Sequence, residues 1–233
     1  MTALLESRGL RKVYAGGDGQ PLEVLRGVDV DVHRGELIAV VGTSGAGKST
    51  LLHLLGALDR PSAGDVWLEG SRYADLGAQG LAELRNRKLG FVFQFHHLLR
   101  EFSALENVMM PLLIGKVPAR EARSRAEEKL SAVGLAGRMT HRPTELSGGE
   151  QQRCAVARAL VHDPSLVLAD EPSGNLDHAS SERLHEMLFR LAREYETAVV
   201  IVTHNRQLAA RADRILWLED GRLTVVGSVD AIP

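Results

Sequence analysis

The sequence predicts an α/β fold with a mainly parallel core sheet, an antiparallel β-layer and a helical subdomain. Short apolar runs rich in β-branched residues occur at Leu37–Val41, Leu166–Ala169 and Ala198–Val202. Such runs are typical of parallel strands that are buried on both faces. Between the first run and the second, apolar residues take the spacing of a helix face. A strand of alternating apolar and polar residues precedes the first run and supplies the β-layer.

A glycine-rich loop follows the first apolar run, and the rest of the chain is organised around it. Gly42–Ser49 has the pattern G-x-x-x-x-G-K-S, and the Leu51–Leu55 segment behind it favours a helix. Glycines let backbone N–H groups converge on phosphate oxygens, the Lys48 ammonium reaches the β- and γ-phosphates, and the Ser49 hydroxyl binds Mg²⁺. A simple turn is the alternative, but all fixed positions are filled. The predicted nucleoside triphosphate contacts are Gly42, Thr43, Ser44, Gly45, Ala46, Gly47, Lys48, Ser49 and Thr50.

Alternating sequences predict the antiparallel layer and a closing hairpin. In Leu22–Val32, apolar residues from Leu22 onward alternate with charged ones, which predicts a half-buried strand. Asp65–Gly70 is a second short strand. Ile215–Leu218 and Leu223–Val226, joined across an Asp-Gly pair, predict a hairpin near the end of the chain.

The stretch from Phe95 to about Glu145 is predicted to be an inserted helical subdomain. Ala122, Ala126 and Leu130 are spaced to share one face of a helix. The stretch from residue 85 to residue 142 carries eleven basic and five acidic residues, so it is locally basic. A solvated surface and a partner surface both remain open as explanations.

The bulk composition excludes several classes of protein. With 233 residues, the chain is long enough for one large α/β domain. A net charge of −2 argues against general nucleic-acid binding. The single cysteine, Cys154, excludes an intrachain disulfide. No uncharged apolar run reaches about 18 residues, so no membrane-spanning helix is predicted, and we expect no signal peptide because a basic region followed by an apolar core is missing.

An acidic pair follows the second apolar run. Asp170 is expected to hold Mg²⁺, and Glu171 is expected to polarise the attacking water as a general base. A surface pair that only ends the strand is the alternative.

The sharper signal is Leu-Ser-Gly-Gly-Glu at Leu146–Glu150. Ser147 and Glu150 form a capping box that starts a helix. A well-capped helix start, with no role in binding, is therefore the alternative explanation of the motif. However, Gly148 and Gly149 each cost about 1 kcal/mol in a helix relative to alanine, so we expect something to approach the backbone there. Exposed N–H groups and a serine hydroxyl at a helix start form an anion site. One nucleotide needs only one glycine-rich loop, so this second site is expected to contact the γ-phosphate held by another subunit.

These motifs resemble the nucleotide-binding domain of ABC transporters over nearly the whole chain. The resemblance implies a P-loop NTPase fold, ATP and Mg²⁺ as cofactors, and a head-to-tail pair of chains that encloses two ATP molecules. It also implies a single ABC ATPase domain over 1–233. Within it, 1–94 would form the β-layer and P-loop core, 95–160 the helical subdomain with the signature helix, and 161–233 the second part of the core.

The family's site residues match positions of this sequence one by one. Tyr14 matches the aromatic residue that stacks on adenine, and Gln94 the glutamine that senses Mg²⁺ and links the core to the helical subdomain. Asp177 matches the aspartate that crosses the dimer interface, and His204 the switch histidine that hydrogen-bonds the γ-phosphate. The resemblance therefore implies Glu171 and His204 as catalytic residues, Ser49, Gln94 and Asp170 as metal ligands, and Tyr14, Gln94, Ser147, Gly148, Gly149, Glu150 and Asp177 as nucleotide contacts beyond the glycine-rich loop.

The segment after Gln94 should carry partner identity, because in this family it faces the membrane subunit. Phe95–Leu99 and Leu112–Gly115 resemble the ATPases of bacterial lipoprotein-releasing complexes, although Arg100 departs from that pattern where a proline is expected. The resemblance implies two integral membrane partners (LolC/LolE type), an indirect lipoprotein substrate, and a peripheral position on the cytoplasmic face of the inner membrane.

Other functions remain to be separated from this one. Macrolide-export and cell-division ATPases share the ABC motifs but resemble the segment after Gln94 less closely. A cell-division ATPase would act as a mechanical signalling ATPase. Soluble DNA-repair or ribosome-acting relatives need a coiled-coil insert or two fused units, which the sequence lacks. The Leu-Ser-Gly-Gly-Glu site disfavours a small-molecule kinase.

Overall fold

The computed structural model describes residues 3–17 and 19–231. These residues form ten strands and seven helices, with short 3₁₀ turns between some of them. The strands are β1 (Leu5–Ala15), β2 (Pro21–Val32), β3 (Leu37–Val41), β4 (Ala63–Leu68), β5 (Ser71–Arg72), β6 (Leu89–Phe93), β7 (Leu166–Asp170), β8 (Ala198–Val202), β9 (Arg214–Glu219) and β10 (Arg222–Val226). The helices are α1 (Lys48–Leu55), α2 (Ala78–Lys88), α3 (Ala104–Ile114), α4 (Ala119–Ala132), α5 (Gly148–Leu160), α6 (His178–Tyr195) and α7 (Arg206–Ala209).

A six-stranded sheet in the order β10-β9-β3-β8-β7-β6 forms the core. All its neighbouring strands are parallel except the β9–β10 hairpin, so the predicted mainly parallel sheet is confirmed. The β3, β7 and β8 strands are apolar and almost wholly buried because helices or the second sheet cover both faces. Their carboxyl ends therefore meet at one edge, where Gly42, Glu171 and Thr203 follow β3, β7 and β8.

The second sheet is antiparallel, in the order β2-β1-β4-β5, and confirms the predicted β-layer. The burial expected for the start of β2 is wrong, because Leu22 is 58 % exposed. The pairing of β1 with β2 contains register shifts, and Gly27 has a φ of 89°. These irregularities change which face the side chains occupy, so Leu25 is buried where simple alternation would place Leu22 and Val24 inside.

The helical subdomain has its own hydrophobic core between α3, α4 and α5. Ala122, Ala126 and Leu130 are fully buried on one face of α4, as their spacing predicts. Cys154 of α5 is buried in the same core, and burial raises the pKa of its thiol to about 12. Helix α3 begins with a capping box between Ser103 and Glu106.

Helix α2 was not predicted, and its composition explains the omission. Only Leu81 is buried, Leu84 is partly buried against the same core, and the second half of the helix is mainly charged or polar, which leaves a weak apolar pattern. Gly77 precedes it without a side-chain cap. In the parts of the chain described here, we find no helix with the length and apolar character needed to cross a membrane.

Candidate functional site

The glycine-rich loop is held closely between its neighbours. A Cβ on Gly42 would overlap the carbonyl oxygen of Leu218, and one on Gly47 would lie 2.8 Å from a methyl of Val24. Gly47 also has a φ of 100°, a left-handed conformation that favours glycine. The Lys48 ammonium donates hydrogen bonds of 2.9 Å to the carbonyls of Gly42 and Thr43. The loop thus places one cation and the N-terminal end of α1 at a common point, which suits a polyphosphate.

The Asp170 carboxylate lies beside Ser49 at the end of β7. Burial raises the pKa of Asp170, the hydrogen bond with Ser49 and the charges of His53 and Lys48 lower it, and the Glu171 charge raises it again; the net change is upward. A carboxylate that is desolvated in this way is stabilised in its ionised form by a cation. The side-chain oxygens of Ser49 and Asp170 are hard donors of the kind that Mg²⁺ prefers, so the residues present fit this metal.

Glu171 turns toward the next strand and pairs with His204. The residue has a φ of 44°, and its N–H donates to the Val202 carbonyl at 2.9 Å. Its carboxylate lies 2.8 Å from Nδ1 of His204 and 3.3 Å from both the His204 N–H and the Thr203 hydroxyl. Because an ionised carboxylate can only accept a hydrogen bond, Nδ1 of His204 carries the hydrogen. Nε2 of His204 is not used in this contact. The His204 side chain is exposed and the Glu171 side chain is mostly buried.

Gln94 contacts the loop that follows the acidic pair. Its Nε2 donates to the side-chain oxygen of Asn175 at 3.1 Å, and the Asn175 amide donates to the Gln94 carbonyl at 3.2 Å. A Cβ on Gly174 would lie 2.9 Å from Gln94 Nε2. The glutamine therefore lies against the loop between Glu171 and Asp177, one strand away from Asp170.

The predicted capping box at the start of α5 is present. Ser147 accepts from the Glu150 N–H, and the Glu150 carboxylate accepts from the Ser147 N–H at 2.8 Å. The two glycines differ in their surroundings. A Cβ on Gly149 would lie 2.7 Å from the Ser180 hydroxyl, whereas one on Gly148 would meet nothing within 4 Å. The close approach that we expected is therefore made within the chain at Gly149, and the backbone is open at Gly148.

Asp177 caps the first turn of α6. Its carboxylate accepts from the Ser180 N–H at 2.9 Å and from the Ser180 hydroxyl at 2.7 Å. These hydrogen bonds with Ser180 lower the pKa of Asp177. Since Ser180 also touches Gly149, the aspartate and the start of α5 belong to one surface of the chain.

Tyr14 lies near the end of β1, where it pairs with Leu22 of β2. Its hydroxyl donates to Asp59 at 3.0 Å, and the residue is 37 % exposed. The ring therefore has accessible surface for stacking while its hydroxyl end is fixed.

The comparisons with known proteins agree with this geometry. Residues 25–174 match the family model described as ABC transporter. The chain belongs to the ABC transporter family. It is 52 % identical over 224 residues to the lipoprotein-releasing system ATP-binding protein LolD of Pseudomonas fluorescens, with 96 % of this chain and 98 % of that protein covered. It is 55 % identical over 223 residues to the LolD of Geobacter metallireducens, with 96 % and 99 % covered.

The fold is likewise that of the family's ATPases. The dimeric structure of the ATP-binding cassette MJ0796 in a post-hydrolysis state, bound to ADP and Pi, is 37 % identical to this chain with a TM-score of 0.86. The match covers 94 % of this chain and 96 % of that one. The P-loop NTPase fold that the motifs predict is thereby confirmed, and the chain is an ABC-type ATPase.

The sequence did not predict two residues that hold the backbone of loops near the site through hydrogen bonds. Gln152, 2 % exposed, donates to the carbonyls of Phe93 at 2.9 Å and Pro172 at 2.8 Å, so it joins α5 to the loops after β6 and β7. Arg158 donates to the carbonyls of His96 and His97 at 2.7 and 2.8 Å. Their polar character on a helix that also carries apolar residues was the only available signal, and it is shared by ordinary surface residues.

Proposed function

We propose that this chain is the ATP-hydrolysing subunit of an inner-membrane complex that releases outer-membrane-directed lipoproteins. The observation that carries the proposal is identity of 52–55 % over 94–96 % of the chain to proteins named for lipoprotein release in four bacterial species. The strand-end cluster of Lys48, Asp170, Glu171 and His204 supplies the chemistry that such a subunit needs.

Hydrolysis is assigned to the edge of the core sheet. The N–H groups of Gly42–Thr50 and the Lys48 ammonium bind the triphosphate. Ser49, Asp170 and Gln94 would hold Mg²⁺, which would supply positive charge to the triphosphate. Glu171 accepts a proton from the attacking water. His204 orients this carboxylate through Nδ1–H, and it donates from Nε2 to the γ-phosphate in the form in which both ring nitrogens carry hydrogen.

A second copy of the chain completes the site. Ser147, Gly148, Gly149 and Glu150 form the start of α5. Ser147 and Gly148 are exposed there, the Gly148 backbone has open space around it, and Gly149 is buried against Ser180. Exposed N–H groups at a helix start attract anions. The start of α5 in one copy therefore binds the γ-phosphate of the ATP held by the other copy, and Asp177 lies at the same interface.

The membrane partners dock on an apolar surface of the helical subdomain. Phe95 is 65 % exposed and Ile114 is 67 % exposed, and large apolar side chains left open to solvent mark a candidate interaction site. One of these residues is also next to the nucleotide site in sequence, because Phe95 directly follows Gln94. We define the docking patch as Phe95, Leu99, Phe102, Leu113 and Ile114.

Copurification tests the proposal. A tagged Glu171→Gln chain is expressed in its host, membranes are solubilised with ATP present, and associated proteins are identified by mass spectrometry. Two integral membrane subunits of the LolC/LolE type, with or without a lipoprotein, are expected. Lys48→Ala is the control for nucleotide dependence, and a variant with all five docking-patch residues changed to serine should lose the membrane subunits but still bind ATP.

The identity of the copurified protein decides between related functions. A cell-division or macrolide-export membrane protein in place of the expected subunits would retain the ATPase assignment and overturn lipoprotein release.

A further inference from the structure

A nearly buried lysine contacts the ring of Tyr14. Lys12 is only 9 % exposed, and its Nζ lies 4.8 Å from the centre of the Tyr14 ring. The ammonium donates to the Asp59 carboxylate at 2.8 Å and to the Arg60 carbonyl at 2.7 Å. Oδ2 of Asp59, which also lies 2.8 Å from the ammonium, accepts from the Tyr14 hydroxyl at 3.0 Å. The ring is thus held at its hydroxyl end by a carboxylate and on one face by a cation.

Asp59 is connected by backbone hydrogen bonds to α1, the helix that follows the glycine-rich loop. The N–H groups of Leu58 and Asp59 donate to the His53 carbonyl in the last turn of α1, at 2.9 and 3.3 Å. Helix α1 starts at Lys48 and has eight residues, so it is about 12 Å long. One short rigid element therefore connects the carboxylate that binds the Tyr14 hydroxyl to the cation that binds phosphate.

The charge state of Asp59 supports a permanent contact. Burial acts to raise the pKa of Asp59, but hydrogen bonds from Lys12, the Arg60 N–H and Tyr14 outweigh it and hold the pKa below its usual range. Asp59 is therefore ionised at neutral pH, and hydrogen bonds to a charged acceptor are stronger than those to a neutral one.

We propose that Lys12 and Asp59 are positioning residues for the nucleotide base, which fix the Tyr14 ring at a set distance from the N-terminal end of α1. Lys12 covers one face of the ring, so the base stacks on the opposite face. The pair acts on the base alone, because neither side chain belongs to the loop that binds phosphate. This inference rests on the stacking role of Tyr14 in the proposed function.

The test compares ATP with inorganic tripolyphosphate, which lacks a base. Dissociation constants for both are measured by calorimetry on Glu171→Gln chains that carry Lys12→Met, Tyr14→Ala or both. We expect Lys12→Met to weaken ATP binding by about five- to tenfold and to leave tripolyphosphate binding unchanged. In the Tyr14→Ala background, Lys12→Met should have no further effect. Lys12→Arg should keep most of the affinity, and Lys116→Met, at an exposed position, is the matched control.

The outcomes separate this inference from the stacking role itself. Equal weakening of both ligands, or effects of Lys12→Met and Tyr14→Ala that simply add, would overturn the positioning role. Normal ATP binding by Tyr14→Ala would instead remove the stacking role on which the inference rests. Asp59→Asn serves as a second variant with the same expectations, and thermal melting of each chain verifies that it is folded.

Discussion

Glu171 and His204 form a direct pair, with 2.8 Å between Oε1 of the carboxylate and Nδ1 of the imidazole. The two residues lie at the ends of neighbouring parallel strands, β7 and β8. The left-handed backbone of Glu171 aims its side chain at the second strand rather than along the first. This contact orients the imidazole and keeps the carboxylate beside the sheet edge where Lys48 and Asp170 also lie.

The first prediction concerns the base. Glu171→Gln keeps an oxygen that accepts from His204 but cannot take a proton, so we expect hydrolysis to fall by about 100-fold or more while ATP binding is retained. Single-turnover hydrolysis and equilibrium ATP binding measure the two effects, and size-exclusion chromatography should show an ATP-dependent dimer. Lys48→Ala, which should lose ATP binding itself, is the control. A variant that hydrolyses ATP at the wild-type rate would remove Glu171 from the role of base.

The second prediction separates the two glycines of α5. Gly148→Ala should leave the melting temperature unchanged or slightly higher, because its Cβ meets nothing and alanine favours a helix by about 1 kcal/mol. In the Glu171→Gln background it should nevertheless abolish the ATP-dependent dimer. Gly149→Ala should destabilise the folded chain by about 1–2 kcal/mol, since its Cβ would crowd Ser180.

Thermal melting measures the stability of these glycine variants, and light scattering with ATP present measures their dimerisation. An intact ATP-dependent dimer in Gly148→Ala would show that no partner group approaches that backbone.

The third prediction concerns Arg158, whose guanidinium joins α5 to the segment after Gln94. Burial lowers the pKa of Arg158, and the side chain donates to two carbonyls of the segment. Arg158→Met should cost about 2–3 kcal/mol in the free energy of unfolding, because both carbonyls lose their charged donor. We expect ATP binding to survive and copurification of the membrane subunits to be lost. The exposed Arg222 provides a matched Arg→Met control, and normal assembly of the Arg158 variant would contradict the prediction.

The fourth prediction is a pH dependence centred on Glu69. Its carboxylate bonds to Lys88, Ser165 and Arg34. Burial acts to raise the pKa of Glu69, but these hydrogen bonds outweigh it and lower the pKa. A carboxylate whose pKa is lower in the folded state stabilises the fold above its unfolded pKa, and this contribution disappears as pH falls through the folded pKa.

For Glu69→Gln we therefore expect a loss of about 1 kcal/mol or less at pH 7, because Arg34 and Lys88 are about half exposed, and this loss should shrink as the pH falls below the unfolded pKa of about 4.3. Urea unfolding of both chains across this range measures the difference. A difference that stays constant with pH would show that the charge of Glu69 does not contribute.

The sequence was informative where a pattern depends on nearby residues. Strand, loop and helix around Lys48 follow from local chemistry, and the strand-end position of Glu171 and His204 follows from the direction of parallel strands. The capping box of Ser147 and Glu150 is also local. These features were therefore predicted, and the structure confirms their secondary structure.

Features that depend on tertiary contacts escaped prediction. Helix α2 has only two large apolar side chains, Leu81 and Leu84, so few buried side chains stabilise it and its periodic signal is weak. The shift of burial from Leu22 to Leu25 depends on irregular pairing with a neighbouring strand. Gln152 and Arg158 bond to carbonyls that are 20 to 62 residues away, which no local pattern reveals.

Cys154 makes the natural chain ready for site-specific dye labelling. It is the only cysteine in the sequence, it lies inside the helical subdomain, and burial raises its thiol pKa to about 12. The thiolate is the form that attacks maleimide reagents, so this buried thiol should stay unmodified in the folded protein. A single cysteine introduced at an exposed position would then accept one fluorophore per chain, and energy transfer between two labelled chains would follow their approach in real time.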